Sequence, residues 1–146
     1  MSVYCIKTDI LTSAQRSARM SRIRGKGNEK TEVRLAKLLR REEIIGWRRH
    51  LPIPGRPDFA FRKQKVAVFV DGCFWHRCLR CFRLPKQNRA FWKAKIEGNR
   101  RRDRSVNGRL RRVGWKVIRI RECQLKNKRS VVERIKRYKK AKRQAL

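Results

Sequence analysis

Acidic residues are scarce in this chain: 11 Asp and Glu stand against 44 Lys and Arg in 146 residues, a formal net charge of +33. A surface so one-sided repels itself, which disfavours the compact state unless a polyanion is the usual partner. Nucleic acid is the polyanion that fits. Arginine outnumbers lysine, and its planar fork grips phosphate through two hydrogen bonds. Adaptation to heat does not explain the imbalance, because it adds Glu together with Lys and Arg. Long apolar runs are also missing. None approaches the roughly 20 residues of a membrane span, and Met1 to Leu11 lacks the apolar stretch of a secretory signal. A cytoplasmic, nucleoid-associated protein is expected. Histidine is nearly absent, with His50 and His76 alone.

The length fits one domain, which can bury roughly two-thirds of the surface its unfolded chain exposes without help from disulfides. The five cysteines are an odd number. Four have metal-ligand spacing and suit a reducing compartment, and Cys5 is left as a plain thiol. No internal repeat is present.

The order of elements reads α-β-β-β-α-β-α, an α/β domain with a central mixed sheet. Residues 12 to 24 are polar and basic, with Thr12 or Ser13 as a possible helix cap. A better helix runs from Asn28 to about Arg41, striped by Val33, Leu35, Leu38 and Leu39. A strand over 44–51 precedes a Pro- and Gly-rich turn, Pro52 to Pro57. Two strands follow at 58–62 and 65–71, the second a continuous apolar run typical of burial on both faces. A Cys-rich loop spans 72–86. Asn88 is positioned to cap a long basic helix reaching toward Arg112, with Phe91, Ile96, Val106, Leu110 and Val113 as its apolar positions. Residues 115–122 alternate as a half-buried strand. Ser130-Val131-Val132-Glu133 has the capping-box pattern, and a basic tail closes the chain. Residues 1–11 read as an extension, 12–128 as the main domain, and 129–146 as its C-terminal helix and tail.

Cys73, Cys78 and Cys81 have the pattern C-x4-C-x2-C, with Cys123 after the last strand. Together they can close a tetrahedron around zinc and pin a polar loop. The same spacing occurs in plant-type [2Fe–2S] ferredoxins, though the basic, aromatic surroundings fit DNA contact better than electron transfer. Four ordinary thiols are the remaining reading.

In a chain so poor in acids, Asp58 at the start of one strand and Asp71 at the end of the next stand out. If the strands pair, the two carboxylates can share a magnesium ion with a phosphate. The layout resembles the PD-(D/E)xK nuclease plan: Pro57-Asp58, a hairpin, then an acid. Its lysine is missing, because Cys73 holds the position two after Asp71. His76 is the alternative for proton transfer, because an imidazole can give or take a proton at a working pH, and Asp103 could orient it. Three plainer readings stay open: Asp58 as a turn cap, His76 as a zinc ligand, and His50 as a phosphate contact or surface residue. Glu32 is either a helix surface residue or a carboxylate reaching the metal. Phe74, Trp75 and Trp92 sit beside the proposed site, where large rings can wedge between bases. Phe91 and Trp115 read as core.

Pro54-Gly55-Arg56-Pro57-Asp58-Phe59, Phe69 to His76, Phe91 to Ile96, Arg102-Asp103-Arg104, Gly114-Trp115 and Glu122-Cys123 together resemble the very short patch repair endonucleases. The match runs in order from about Ser17 to Cys123. The resemblance implies a single PD-(D/E)xK-like domain that nicks duplex DNA 5′ to the T of a T:G mispair. Carried over, Asp58 binds magnesium with the Val70-Asp71 pair, through the Val70 carbonyl or the Asp71 side chain. His76 is the catalytic histidine, supported by Asp103. Phe74, Trp75 and Trp92 intercalate, and Met20 does so from the minor-groove side. Cys73, Cys78, Cys81 and Cys123 hold structural zinc. The implied partner is T:G-mismatched double-stranded DNA, met by a monomer, with other mismatch-repair proteins as conceivable further partners. Some family members carry Thr-His in place of Val70-Asp71, and some a His among the zinc ligands. A nuclease with another DNA target and a non-catalytic zinc module binding nucleic acid are the competing functions.

Overall fold

A computed structural model describes residues 12, 14, 15, 18 and 29–140. Met20, Cys5, the remainder of the 1–11 extension and the tail after Lys140 lie outside the described residues. Thr12 carries the reciprocal bonds of a capping box: its Oγ1 accepts from the Gln15 amide at 3.3 Å, and Gln15 Oε1 accepts from the Thr12 amide at 3.0 Å.

Helix α1 (Arg34–Arg41) follows a wider helical turn at Glu29–Val33. Strands β1 (Trp47–Arg48), β2 (Phe59–Phe61) and β3 (Val66–Asp71) come next. Helix α2 (Arg89–Arg112), β4 (Lys116–Arg121) and α3 (Lys128–Lys140) complete the chain. The sheet order is β1-β2-β3-β4, with the first two pairings antiparallel and β3-β4 parallel. The parallel pair needs a crossover, and α2 supplies it. Every residue of β3 is buried, as its unbroken apolar run requires of a central strand.

Alternation along β3 decides what faces what. Val66, Val68 and Val70 pack with Leu35, Leu39, Ile118, Ile120 and Ile135, toward α1 and α3. Ala67 and Phe69 pack with Val106, Leu110 and Val117, toward α2. Asp71, two residues beyond Phe69, therefore faces α2, as does Arg119, two beyond Val117. Among the described residues no helix is long and apolar enough to cross a membrane.

Two expectations on the helices need correction. The buried stripe of α2 is Trp92, Ile96, Val106 and Leu110. Phe91 lies one residue off it, about 100° round the helix, and is 59% exposed; Val113 is exposed as well. Helix α3 starts before Ser130, and Asn127 Oδ1 accepts the Ser130 amide at 3.1 Å. Asn127 is thus the cap, and Glu133 pairs with Arg129 instead at 3.0 Å.

The Pro54-Gly55 turn lies directly on α2. A Cβ on Gly55 would sit 2.3 Å from Val106 Cγ1, and its φ is +77°. Only glycine meets both conditions, and the turn it makes delivers Asp58 to the mouth of the sheet.

Candidate functional site

Three groups of chemically active side chains meet at the C-terminal end of β3. The first joins Glu32, His50 and Asp58, whose ligand atoms lie within 4.8 Å of one another. Asp58 Oδ2 accepts the Val70 amide at 2.7 Å, which fixes the carboxylate against β3. Burial pushes the Asp58 pKa up to about 7, against the pull of the Val70 amide and with Glu32 and Asp71 adding to the rise. Glu32 is buried, accepts a hydrogen bond from Arg49, and lies 3.4 Å from His50 Nε2. His50 holds a left-handed backbone, φ 50°, a conformation that concentrates at functional positions. One buried and one half-buried acid converge here with an imidazole; such a set, with one acid of strongly raised pKa, is one that a divalent cation would neutralise.

The second group is Asp71, His76 and Asp103, again within 4.8 Å. His76 Nδ1 lies 2.6 Å from Asp103 Oδ2, while its Nε2 is 3.8 Å from Asp71 Oδ1. Burial acts to raise the Asp103 pKa, but the hydrogen bond and charge of His76, with Arg119 and Arg121 nearby, hold it below the usual value. Helix α2 positions Asp103 by phase. Asn99 and Asp103 continue the stripe Trp92–Ile96 toward Val106–Leu110, so two polar residues face inward at its middle. Asn99 donates to the Trp75 carbonyl at 3.1 Å, tying the loop to the helix. Arg121 donates to the His76 carbonyl at 2.8 Å from the other side.

Asp58 and Asp71, expected to share one ion, thus fall into different groups. The register explains this: Asp58 holds the Val70 amide, whereas the next side chain, Asp71, turns to the α2 face.

The third group is Cys73, Cys78, Cys81 and Cys123, whose sulfurs lie within 4.8 Å of one another. Cys78 Sγ and Cys123 Sγ are 3.6 Å apart, close to the about 3.8 Å between sulfurs in a tetrahedral zinc–thiolate centre with Zn–S near 2.3 Å. Burial pushes the Cys73 thiol up, against the pull of the Cys123 amide and with the neighbouring thiols adding to the rise. Burial acts the same way on Cys78, but the amides of Arg80 and Cys81 and the neighbouring thiols bring it down to about 7. The donor set fits a thiolate-bound ion.

Aromatic rings flank these groups. Phe74 meets Trp75 and Trp92 edge to face at centroid distances of 5.2 and 5.4 Å, and Phe82 at a tilt at 5.7 Å. Trp92 is 9% exposed, so it backs the cluster, and Phe91 lies outermost, 5.2 Å from Trp92. Trp115, read as core, is partly buried against the α2-side cluster. Reading the sequence left Glu32 and His50 undecided and missed Arg119, Arg121, Asn99 and Asn107. The helical spacing of Asn99 to Asp103 was the signal for one of them.

Residues 8–81 match the family model described as DNA mismatch endonuclease Vsr. The chain is 39% identical over 132 residues to the type II nicking enzyme V.NmeAIP of Neisseria meningitidis serogroup A, covering 89% of this chain and 93% of the relative. It is 46% identical over 114 residues to V.NmeDIP, a type II nicking enzyme of Neisseria meningitidis serogroup C, covering 77% and 76%. It is 34% identical over 127 residues to the DNA mismatch endonuclease Vsr of Escherichia coli, covering 86% and 80%.

Proposed function

The chain belongs to the Vsr family of DNA endonucleases, and from that premise we propose that it nicks one strand of duplex DNA 5′ to the T of a T:G mispair, with magnesium. The observation that carries the reading is the presence of a cation-seeking carboxylate at Asp58, held against β3, together with an imidazole at His76 oriented by Asp103.

Asp58, Glu32 and His50 would hold the magnesium ion, with the Val70 backbone beside them. Asp71 is committed to Arg119 at 2.9 Å, which leaves it to the His76 side. When bound, magnesium polarises the scissile phosphate and lowers the pKa of water. Asp103 holds His76 Nδ1, so Nε2 is the nitrogen that gives or takes a proton at the phosphodiester. His76 does the work of the lysine missing from the PD-(D/E)xK pattern. The cysteine group would hold structural zinc, bracing the loop that carries Trp75 and His76. Phe74 and Trp75 would wedge into the duplex, with Trp92 behind them. A mispaired step opens at lower cost than a matched one, so the wedge discriminates. The exposed arginines and lysines of α2 supply sequence-independent grip on phosphates.

The test is cleavage of labelled T:G duplex against matched and branched duplexes. A single nick in the T strand of the T:G duplex is expected. Equal cutting of matched or branched DNA would instead assign the chain another target.

A further inference from the structure

The Asp71–His76–Asp103 group has the donor set of a divalent-cation site, yet it already contains a cation. Arg119 Nη1 lies 2.9 and 3.2 Å from the two Asp71 oxygens and 3.3 Å from Asp103 Oδ1. Its Nε donates to Asn107 Oδ1 at 3.0 Å, and its guanidinium carbon sits 4.4 Å from the centre of the Phe69 ring. The parallel register of β3 and β4 builds this arrangement: Arg119 is opposite Phe69, and Arg121 is opposite Asp71. Arg121 stands farther off, 3.8 Å from Asp71 Oδ2, and is engaged on the His76 carbonyl.

The Glu32–His50–Asp58 group differs in how its charge is met. Arg49 pairs with Glu32 from a side chain 32% exposed, and among the described residues Asp58 has no ion pair. Arg119 is 15% exposed and is held by four groups, two carboxylates, an amide and a ring.

We propose that Arg119 is a resident cation: its guanidinium takes the place that a second divalent ion would occupy between Asp71 and Asp103, so the chain carries one exchangeable divalent ion and not two. The count of one rests on the proposed ion at Asp58; the exclusion at Asp71–Asp103 does not. A guanidinium stays charged at any working pH and matches carboxylates through a planar fork. A buried acid, Asp71, beside the half-buried Asp103 is costly unless its charge is met, and Arg119 meets that need without a metal to lose. Its role is positioning: Asp71 and Asp103 are held on either side of His76 whether or not a cation is in the medium.

The test counts Mn2+ bound per zinc-loaded full-length chain, from the loss of the free-ion electron paramagnetic resonance signal. The unchanged chain is expected to bind one, and Arg119→Gln two. Arg119→Gln combined with Asp103→Asn should return the count to one. A gain of one ion on removing the guanidinium supports the exclusion at Asp71–Asp103, no gain overturns it, and a starting count of two overturns the count of one. A starting count of zero would sink the Asp58 site alone. Should Arg119→Gln fail to fold, Asp103→Asn in the otherwise unchanged chain decides: an unaltered count supports the proposal, and loss of an ion overturns it.

Discussion

His76 presents Nδ1 to Asp103 Oδ2 at 2.6 Å, so an imidazole carried by the Cys-rich loop is oriented by a carboxylate from α2, 27 residues away in sequence. The contact joins the two segments that α2 and β3 bring together, and it selects the ring nitrogen left for DNA. Asp103→Asn keeps the shape but allows the wrong tautomer. Single-turnover nicking of T:G duplex should fall roughly 10²- to 10⁴-fold with duplex affinity retained. A rate within a few-fold of the unchanged enzyme would remove Asp103 from this role.

The raised pKa of Asp58, about 7, gives a pH dependence with a definite sign. In the metal-free protein the proton is held more tightly by the folded chain. The stabilisation is therefore complete below the ordinary value of 3.8 and is lost as pH rises through about 7. Magnesium must displace that proton, so its affinity should climb with pH up to about 7 and level off above. Calorimetric titrations at successive pH values would show this. Asp58→Asn removes the cost of burying the charge and, with it, the repulsion from Glu32, and should stabilise the metal-free chain at alkaline pH by roughly 1–2 kcal/mol, read as a higher melting temperature.

The cysteine group predicts one zinc per chain by elemental analysis. Cys123→Ser should lose the ion and lower the melting temperature by at least several degrees, since the metal bridge between the end of β4 and the 73–81 loop is then gone and the Arg121–His76 hydrogen bond is left to join them. Full thermal stability after zinc removal would contradict the bracing role.

Trp75 and Phe74 are the half-buried rings nearest His76 in sequence. Trp75→Ala should weaken binding to T:G duplex by roughly 5- to 150-fold, the range of one lost base stack, and narrow its margin over matched duplex. Equal losses on both duplexes would make the ring a packing element.

Much of the fold was legible because β3 is an unbroken apolar run and β4 alternates. The four cysteines were legible by spacing alone. Phe91 and Trp92 exchanged places because two adjacent rings at a helix start give no phase until Ile96 and Val106 are known to face the sheet. Arg119 was hidden for a similar reason. A charged residue on an alternating strand reads as solvent-facing, but here that face is roofed by α2. Glu32 and His50 meet Asp58 only through long-range packing of α1's leading turn against the sheet, which no local pattern reports. The strand expected over 44–51 shrinks to Trp47–Arg48, with Gly46 at φ +88° before it and His50 at φ 50° after it limiting extended pairing.

The most direct measurement is strand-resolved nicking of a T:G duplex by Asp58→Ala under single-turnover conditions, with magnesium present and with it chelated. The unchanged enzyme should cut the T strand only with magnesium, and the variant should leave both strands intact while still binding the duplex. Cutting by the variant at the full rate, or undiminished cutting by the unchanged enzyme in chelator, would contradict the account.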